Sequence, residues 1–130
     1  MGDFKQLTVW RKAHAAALAT YRLTNRFPVA ERFGLVAQMR RASASVSANI
    51  AESRGRYSEP DQRRFLQIAL GSARELECHL LLARDLGLVA ARDFDMLAAL
   101  IDEVQRMLAA LTHRGRLVSG LRPQASGLPR

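Results

Sequence analysis

The chain has 130 residues, 48% of them hydrophobic and 25% charged, and its twenty Lys+Arg against twelve Asp+Glu leave a net charge of +8. A chain of this length supports one hydrophobic core and not two, and this composition excludes both an intrinsically disordered chain and a membrane-embedded one. Eighteen of the twenty cations are Arg, with Lys5 and Lys12 the exceptions. The planar guanidinium fork suits phosphates and carboxylates, so nucleic acid is the first polyanion to consider and an anionic membrane surface the second. Arg in place of Lys is also what a GC-rich genome produces. Cys78 is the single cysteine, so no internal disulfide can form. Met1 to Trp10 lacks the apolar stretch of a signal peptide. No apolar run approaches the ~20 residues that span a bilayer. The expected location is cytoplasmic, with no membrane contact.

Four segments of helical length follow in order. The first is predicted from about Thr8 to Phe27, with Thr8 as N-cap and Pro28 as the stop. Its apolar steps are Trp10, Ala13, Ala17, Tyr21 and Thr24. The second is predicted from Glu31 or Arg32 to Arg54, with Leu35, Met39, Ala42, Val46 and Ile50 facing inward. Small residues at Ser43, Ser47 and Ala51 let another helix come close, and Gly55 fits the position after the C-cap.

The third helix starts after Ser58, a capping residue with Asp61 three positions on and Pro60 tolerated in the first turn. It carries two adjacent stripes, Phe65-Ala69-Ser72-Leu76-His79-Ala83-Leu86 and Leu66-Leu70-Ala73-Leu80. Gly71 inside it points to a close packing contact, and Gly87 ends it. The fourth, about Ala91 to His113, has the cleanest heptad seam: Phe94, Leu97, Ile101, Val104, Leu108 and Leu111. Short connections make neighbouring helices antiparallel. The expected fold is therefore all-α, an up-down-up-down four-helix bundle over residues 1–117. Residues 118–130, rich in Gly, Pro, Ser and Arg, are expected to be a disordered basic tail.

Catalytic patterns are missing. There is no glycine-rich phosphate loop and no metal-ligand motif; His14, His79 and His113 lie on different helices. Cys78 and His79 are adjacent on a helix and do not face one another, and Glu75 and Glu77 point to different faces. The expectation is a protein that binds, without cofactor or metal, and is no enzyme.

The charge is concentrated instead. Met1 to Arg64 holds twelve Lys+Arg against five acids, whereas Phe65 to Leu117 holds six against seven. The dense positions are Arg40, Arg41, Arg54, Arg56, Arg63 and Arg64. Arg40 and Arg41 lie roughly 20 Å along the helix from Arg54, so the six make a stripe and not a point. Such a stripe is the footprint of phosphate binding. The competing reading pairs these cations with Glu52, Glu59 and Asp61, or with acids of another subunit. Asn49, Glu52 and Glu75 are expected to form a polar network between helices. Tyr57 is open to two readings, a ring that stacks on a base or one at the edge of the core.

Several segments together resemble the 23S rRNA intervening-sequence proteins. They are Leu7 to Ala13, Phe27-Pro28, Phe33-Gly34-Leu35, Gln38 to Ala42, Ser47 to Glu52, Gly55-Arg56, Arg64 to Leu66, Ala69 to Ser72 and Glu75 to Glu77. The likeness covers about Asp3 to Leu111; Ser53 departs from it, where the family commonly has Gly. The resemblance implies a non-enzymatic four-helix bundle assembled as a homopentamer. The chain is also similar to the accessory variability proteins of diversity-generating retroelements, which bind nucleic acid and a reverse transcriptase. The reading is therefore a homo-oligomeric basic bundle that binds RNA or DNA through phosphates. The alternative is a scaffold that docks on a protein partner such as a reverse transcriptase or ribosomal component.

Overall fold

The computed structural model describes residues 3–118, with side chains as far as His113. The tail expected from Ser119 onward lies outside the described residues. Four long helices run α1 (Thr8–Thr24), α2 (Ala37–Arg54), α3 (Glu59–Asp85) and α4 (Ala91–Val118). Each packs on its chain neighbours, and α1 closes the ring against α4. The described residues form an all-α four-helix bundle and contain no strand.

Thr8 is not the N-cap. Leu7 holds that position with extended backbone and no side-chain cap, and its carbonyl accepts from Arg11 N at 3.1 Å. The capping side chain lies further upstream, where Asp3 Oδ1 accepts from Lys5 N at 3.0 Å and opens a 3-10 turn, Phe4–Gln6. The buried face of α1 is Val9, Ala13, Ala16, Thr20, Leu23 and Thr24, rotated from the predicted one. Trp10 is drawn to the bundle edge, stacked on His14 at 4.7 Å and edge-on to Phe4 at 5.2 Å. Thr20 and Thr24 can be buried because their hydroxyls donate back to Ala16 O and Thr20 O, each at 2.8 Å.

The helix predicted from Glu31 or Arg32 is a composite. A 3-10 turn, Val29–Glu31, leads into a wide π-helical turn, Arg32–Val36, with Gly34 outside helical geometry at φ −105° and ψ −105°. That turn carries both Leu35 and Val36 into the core ahead of Met39. From there the predicted stripe holds: Leu35, Met39, Ala42, Val46 and Ile50 are all buried.

Ser58 caps α3, its Oγ accepting from Asp61 N at 3.2 Å. The two predicted stripes merge into one seam of Ala69, Ala73, Leu76, Leu80 and Ala83, because the steps of four and three between them follow the helix axis. Gly71 stands on the outer face, where an added Cβ meets nothing within 4 Å; the expected close contact is not made within this chain. At the other end Gly87 takes φ +77°. Its N–H reaches Arg84 O, and Leu88 N–H reaches Ala83 O, both at 2.9 Å, which satisfies the free carbonyls of the last turn. On α4, Leu97, Ile101, Val104 and Leu108 are buried, with Phe94 and Leu111 half-buried beside them.

Polar contacts hold the outer seam of α2 and α3. Asn49 Nδ2 donates to Ser45 O at 2.9 Å and to Ser45 Oγ at 3.1 Å, and Ser45 Oγ meets Ser72 Oγ at 2.9 Å. Glu75 accepts from Arg41 across the seam, with His79 Nε2 at 3.2 Å from the same carboxylate oxygen. Glu52 turns to Arg56 instead. Asn49, Glu52 and Glu75 thus form three separate contacts, because their partners Ser45, Arg56 and Arg41 lie at different levels of the α2–α3 pair. Partial burial pushes the Glu75 carboxyl up, but the hydrogen bonds from His79 and Arg41 and the Arg41 charge outweigh it and hold the carboxyl below its ordinary value.

Two outcomes follow. Gly87→Ala should cost about 1 kcal/mol, since φ is positive there, whereas Gly71→Ala should add about 0.5–1 kcal/mol by helix propensity; urea denaturation of both variants checks the contrast. A carboxyl held low adds stability above the ordinary Glu range of ~4.3, and that stability is lost as pH falls through its lower folded value. The stability gap between wild type and Glu75→Gln should therefore be widest near neutrality and close in acid, as read by denaturation across a pH series.

Candidate nucleic-acid interface

The six arginines singled out from the sequence divide by environment. Arg40 sits in the first half of α2 and is spent on α1: Nε donates to Thr24 Oγ1 at 2.9 Å, Nη2 to Asn25 Oδ1 at 2.8 Å and to Tyr21 O at 3.3 Å. Its guanidinium also lies 4.7 Å from the centre of the Tyr21 ring. Arg41 is paired with Glu75 and donates to Gln38 Oε1 at 2.8 Å. Both therefore hold helices together, and the structure does not extend one continuous stripe of available cations down α2.

The other four meet at the turn from α2 to α3. Gly55 caps α2 with φ −90° and ψ 0°, a conformation open to other residues, and its N–H reaches Glu52 O at 3.0 Å. The turn is short enough to set Arg54 and Arg56 beside Arg63 and Arg64. Arg56 Nη2 pairs with Glu52 at 2.6 Å and its Nε lies 3.7 Å from Asp61. Arg64 donates from Nη2 and Nε to Asp61 Oδ1 at 3.0 and 3.2 Å. Both guanidiniums lie over the Phe65 ring, at 4.6 and 4.5 Å.

Arg54 and Arg63 differ. Neither makes an ion pair or hydrogen bond among the described residues, and Arg54 Nε and Arg63 Nη1 are buried without an acceptor from the protein. A charged donor shielded from water without a partner costs stability. An incoming oxyanion that draws these side chains over would relieve that cost.

Topology adds two cations that sequence spacing missed. The 3-10 turn at Phe4–Gln6 packs on α2, which brings Lys5 and the start of α1 to the same end. Arg11 donates to Lys5 O at 3.0 Å and Gln6 Oε1 at 3.2 Å, and neither Lys5 nor Arg11 has a carboxylate partner among the described residues. The signal available in the sequence was the antiparallel topology itself, which sets the start of α1 beside the end of α2. Lys12, one residue on, is already paired with Glu103 at 3.3 Å.

The opposite end carries charges of both signs, among them Arg26 paired with Asp93, and also gathers exposed apolar side chains. Of the nine exposed large hydrophobic side chains among the described residues, Tyr21, Val29, Phe33, Leu82, Leu86 and Met96 lie there; Tyr57 alone marks the basic end. Among the described residues no three His, Cys, Asp or Glu side chains converge as metal ligands, and no helix is long and apolar enough to cross a membrane.

The family model described as 23S rRNA-intervening sequence protein matches residues 5–110. No curated protein matches the sequence. Among solved structures, one similar fold is a protein with unknown function from the S23 ribosomal protein family of Bacteroides thetaiotaomicron VPI-5482. It is 23% identical, with a TM-score of 0.74 over 81% of this chain and 98% of that one, which shows a shared fold. The family match takes in α1 to α3, most of α4 and the basic turn, and the chain belongs to the 23S rRNA-intervening sequence protein family.

Proposed function

We propose that the protein is a non-catalytic, homo-oligomeric bundle that binds RNA or DNA through phosphate contacts at the α2–α3 turn. The observation that carries this reading is the pair Arg54 and Arg63, two cations on either side of the turn that make no ion pair among the described residues. Lys5 and Arg11 extend the same end. Contacts of this kind position a nucleic acid without reading its bases, so binding has little sequence preference. The family's description, which refers to an insert in ribosomal RNA, suits an RNA ligand. The resemblance read from the sequence implies five subunits, and a closed ring would repeat the basic turn and add weak contacts as avidity.

A second reading rests on the opposite end, where Val29 and Phe33 are 78% and 87% exposed. Apolar side chains gathered in that way favour docking on a protein partner, as in the scaffold role with a reverse transcriptase or ribosomal component.

The test is binding of a labelled structured RNA and a matched DNA duplex across a salt series, on protein whose mass in solution is known. Affinity should fall steeply with salt, and Arg54→Ala with Arg63→Ala should reduce the slope of log K against log salt by about 2, one unit per phosphate contact. Arg92→Ala at the far end should leave the slope unchanged. Absence of binding at low salt sinks the reading and leaves docking in front, and a monomeric mass removes the oligomer from it.

A further inference from the structure

Tyr57 stands at the tip of the α2–α3 turn and is 94% exposed, the highest exposure of any large hydrophobic side chain described. It makes no hydrogen bond and no ring contact among the described residues, so its place at the core edge is excluded. The other aromatic ring of this turn, Phe65, is already covered by the guanidiniums of Arg56 and Arg64. The turn therefore keeps one ring that its own arginines use and presents a second ring bare.

The backbone under Tyr57 is pinned on both sides. Gly55 N–H and Arg56 N–H bond back to Glu52 O and Ser53 O, at 3.0 and 3.3 Å. Gln62 Nε2 donates to Arg56 O at 2.7 Å, and Ser58 Oγ accepts from Asp61 N at 3.2 Å. A ring carried on a braced turn loses little freedom when a flat partner stacks on it. Arg54 lies three positions before it and Arg63 six after, both without an acid partner. A bare aromatic face among unpaired guanidiniums is the combination that holds single strands, where the base stacks and the flanking phosphates meet cations. Bases inside a duplex are stacked on one another and have no face to offer.

We infer that the turn selects single-stranded nucleic acid, with Tyr57 stacking on an unpaired base while Arg54 and Arg63 hold the adjoining phosphates. This rests on the phosphate-binding reading above and names its ligand class. Stacking is blind to base identity, so the preference is for unpaired nucleotides and not for a sequence.

The experiment compares labelled oligouridine with an RNA duplex of the same length, using wild type, Tyr57→Ala, Tyr57→Phe and the Arg54→Ala, Arg63→Ala double variant of the full chain. Tyr57→Ala should weaken oligouridine binding about tenfold, leave duplex binding and the salt slope as they were, and leave the thermal melt unchanged because the ring touches no core residue. Tyr57→Phe should restore single-strand binding, since the face and not the hydroxyl stacks. If Tyr57→Ala lowers both ligands equally, or neither, the inference is overturned, while a salt slope that still falls in the double variant keeps the phosphate reading alive. If wild type binds neither ligand at low salt, both fall together.

Discussion

The hydroxyls of Ser45 and Ser72 meet at 2.9 Å across α2 and α3, a separation that small side chains along the seam make possible. Below them Ala42, Ser43, Ala69 and Ala73 are fully buried, and none carries a side chain long enough to hold the two helices apart. α2 and α3 consequently share the most extensive contact in the bundle. The connection between them needs only the four residues from Gly55 to Ser58, held by backbone bonds and the Ser58 cap. The position of every cation at that turn depends on this approach. A wider seam would need a longer connection.

The arginines also show how competition for carboxylates sorts a basic surface. Between Glu52 and Arg64 stand four arginines and three acids; Glu52 and Asp61 are taken by Arg56 and Arg64, while Glu59 makes no ion pair among the described residues and leaves Arg54 and Arg63 unpaired as well. Such exposed pairs are individually worth little, on the order of 0–1 kcal/mol, so their importance is geometric: they fix which guanidiniums are occupied. Arg54 and Arg63 are left over. Arg40 is a different case, since its planar fork satisfies three acceptors at the end of α1 and stacks on Tyr21, a role that the shorter reach of a Lys donor set could not fill.

The two ends differ mainly in their exposed apolar side chains. One carries Lys5, Arg11, Arg54 and Arg63 without acid partners among the described residues, together with the bare ring of Tyr57. The other also holds cations without such partners, Arg22, Arg32 and Arg92, but adds Val29, Phe33, Leu86 and Met96 at the surface. Antiparallel packing produces this division from a chain whose charge is merely concentrated in its first half, because alternate helix ends are folded to the same side.

Helix number, order and the inner stripes of α2 and α4 were legible in the sequence, since apolar residues at steps of three and four bury one face whatever the neighbours are. Ser58 as a cap and Gly87 as a terminator were legible too, because both act within a few residues of backbone. The face of α1 was not, since Trp10 satisfied the spacing but found Phe4 and His14 at the edge. Neither was the π-helical turn at Gly34, which exists because two adjacent residues, Leu35 and Val36, both enter the core. Sequence alone located the dense arginines but ranked them equally. Only the tertiary structure separated Arg40 and Arg41 from Arg54 and Arg63, because a guanidinium is free or occupied according to which acceptors the other helices bring within about 3 Å.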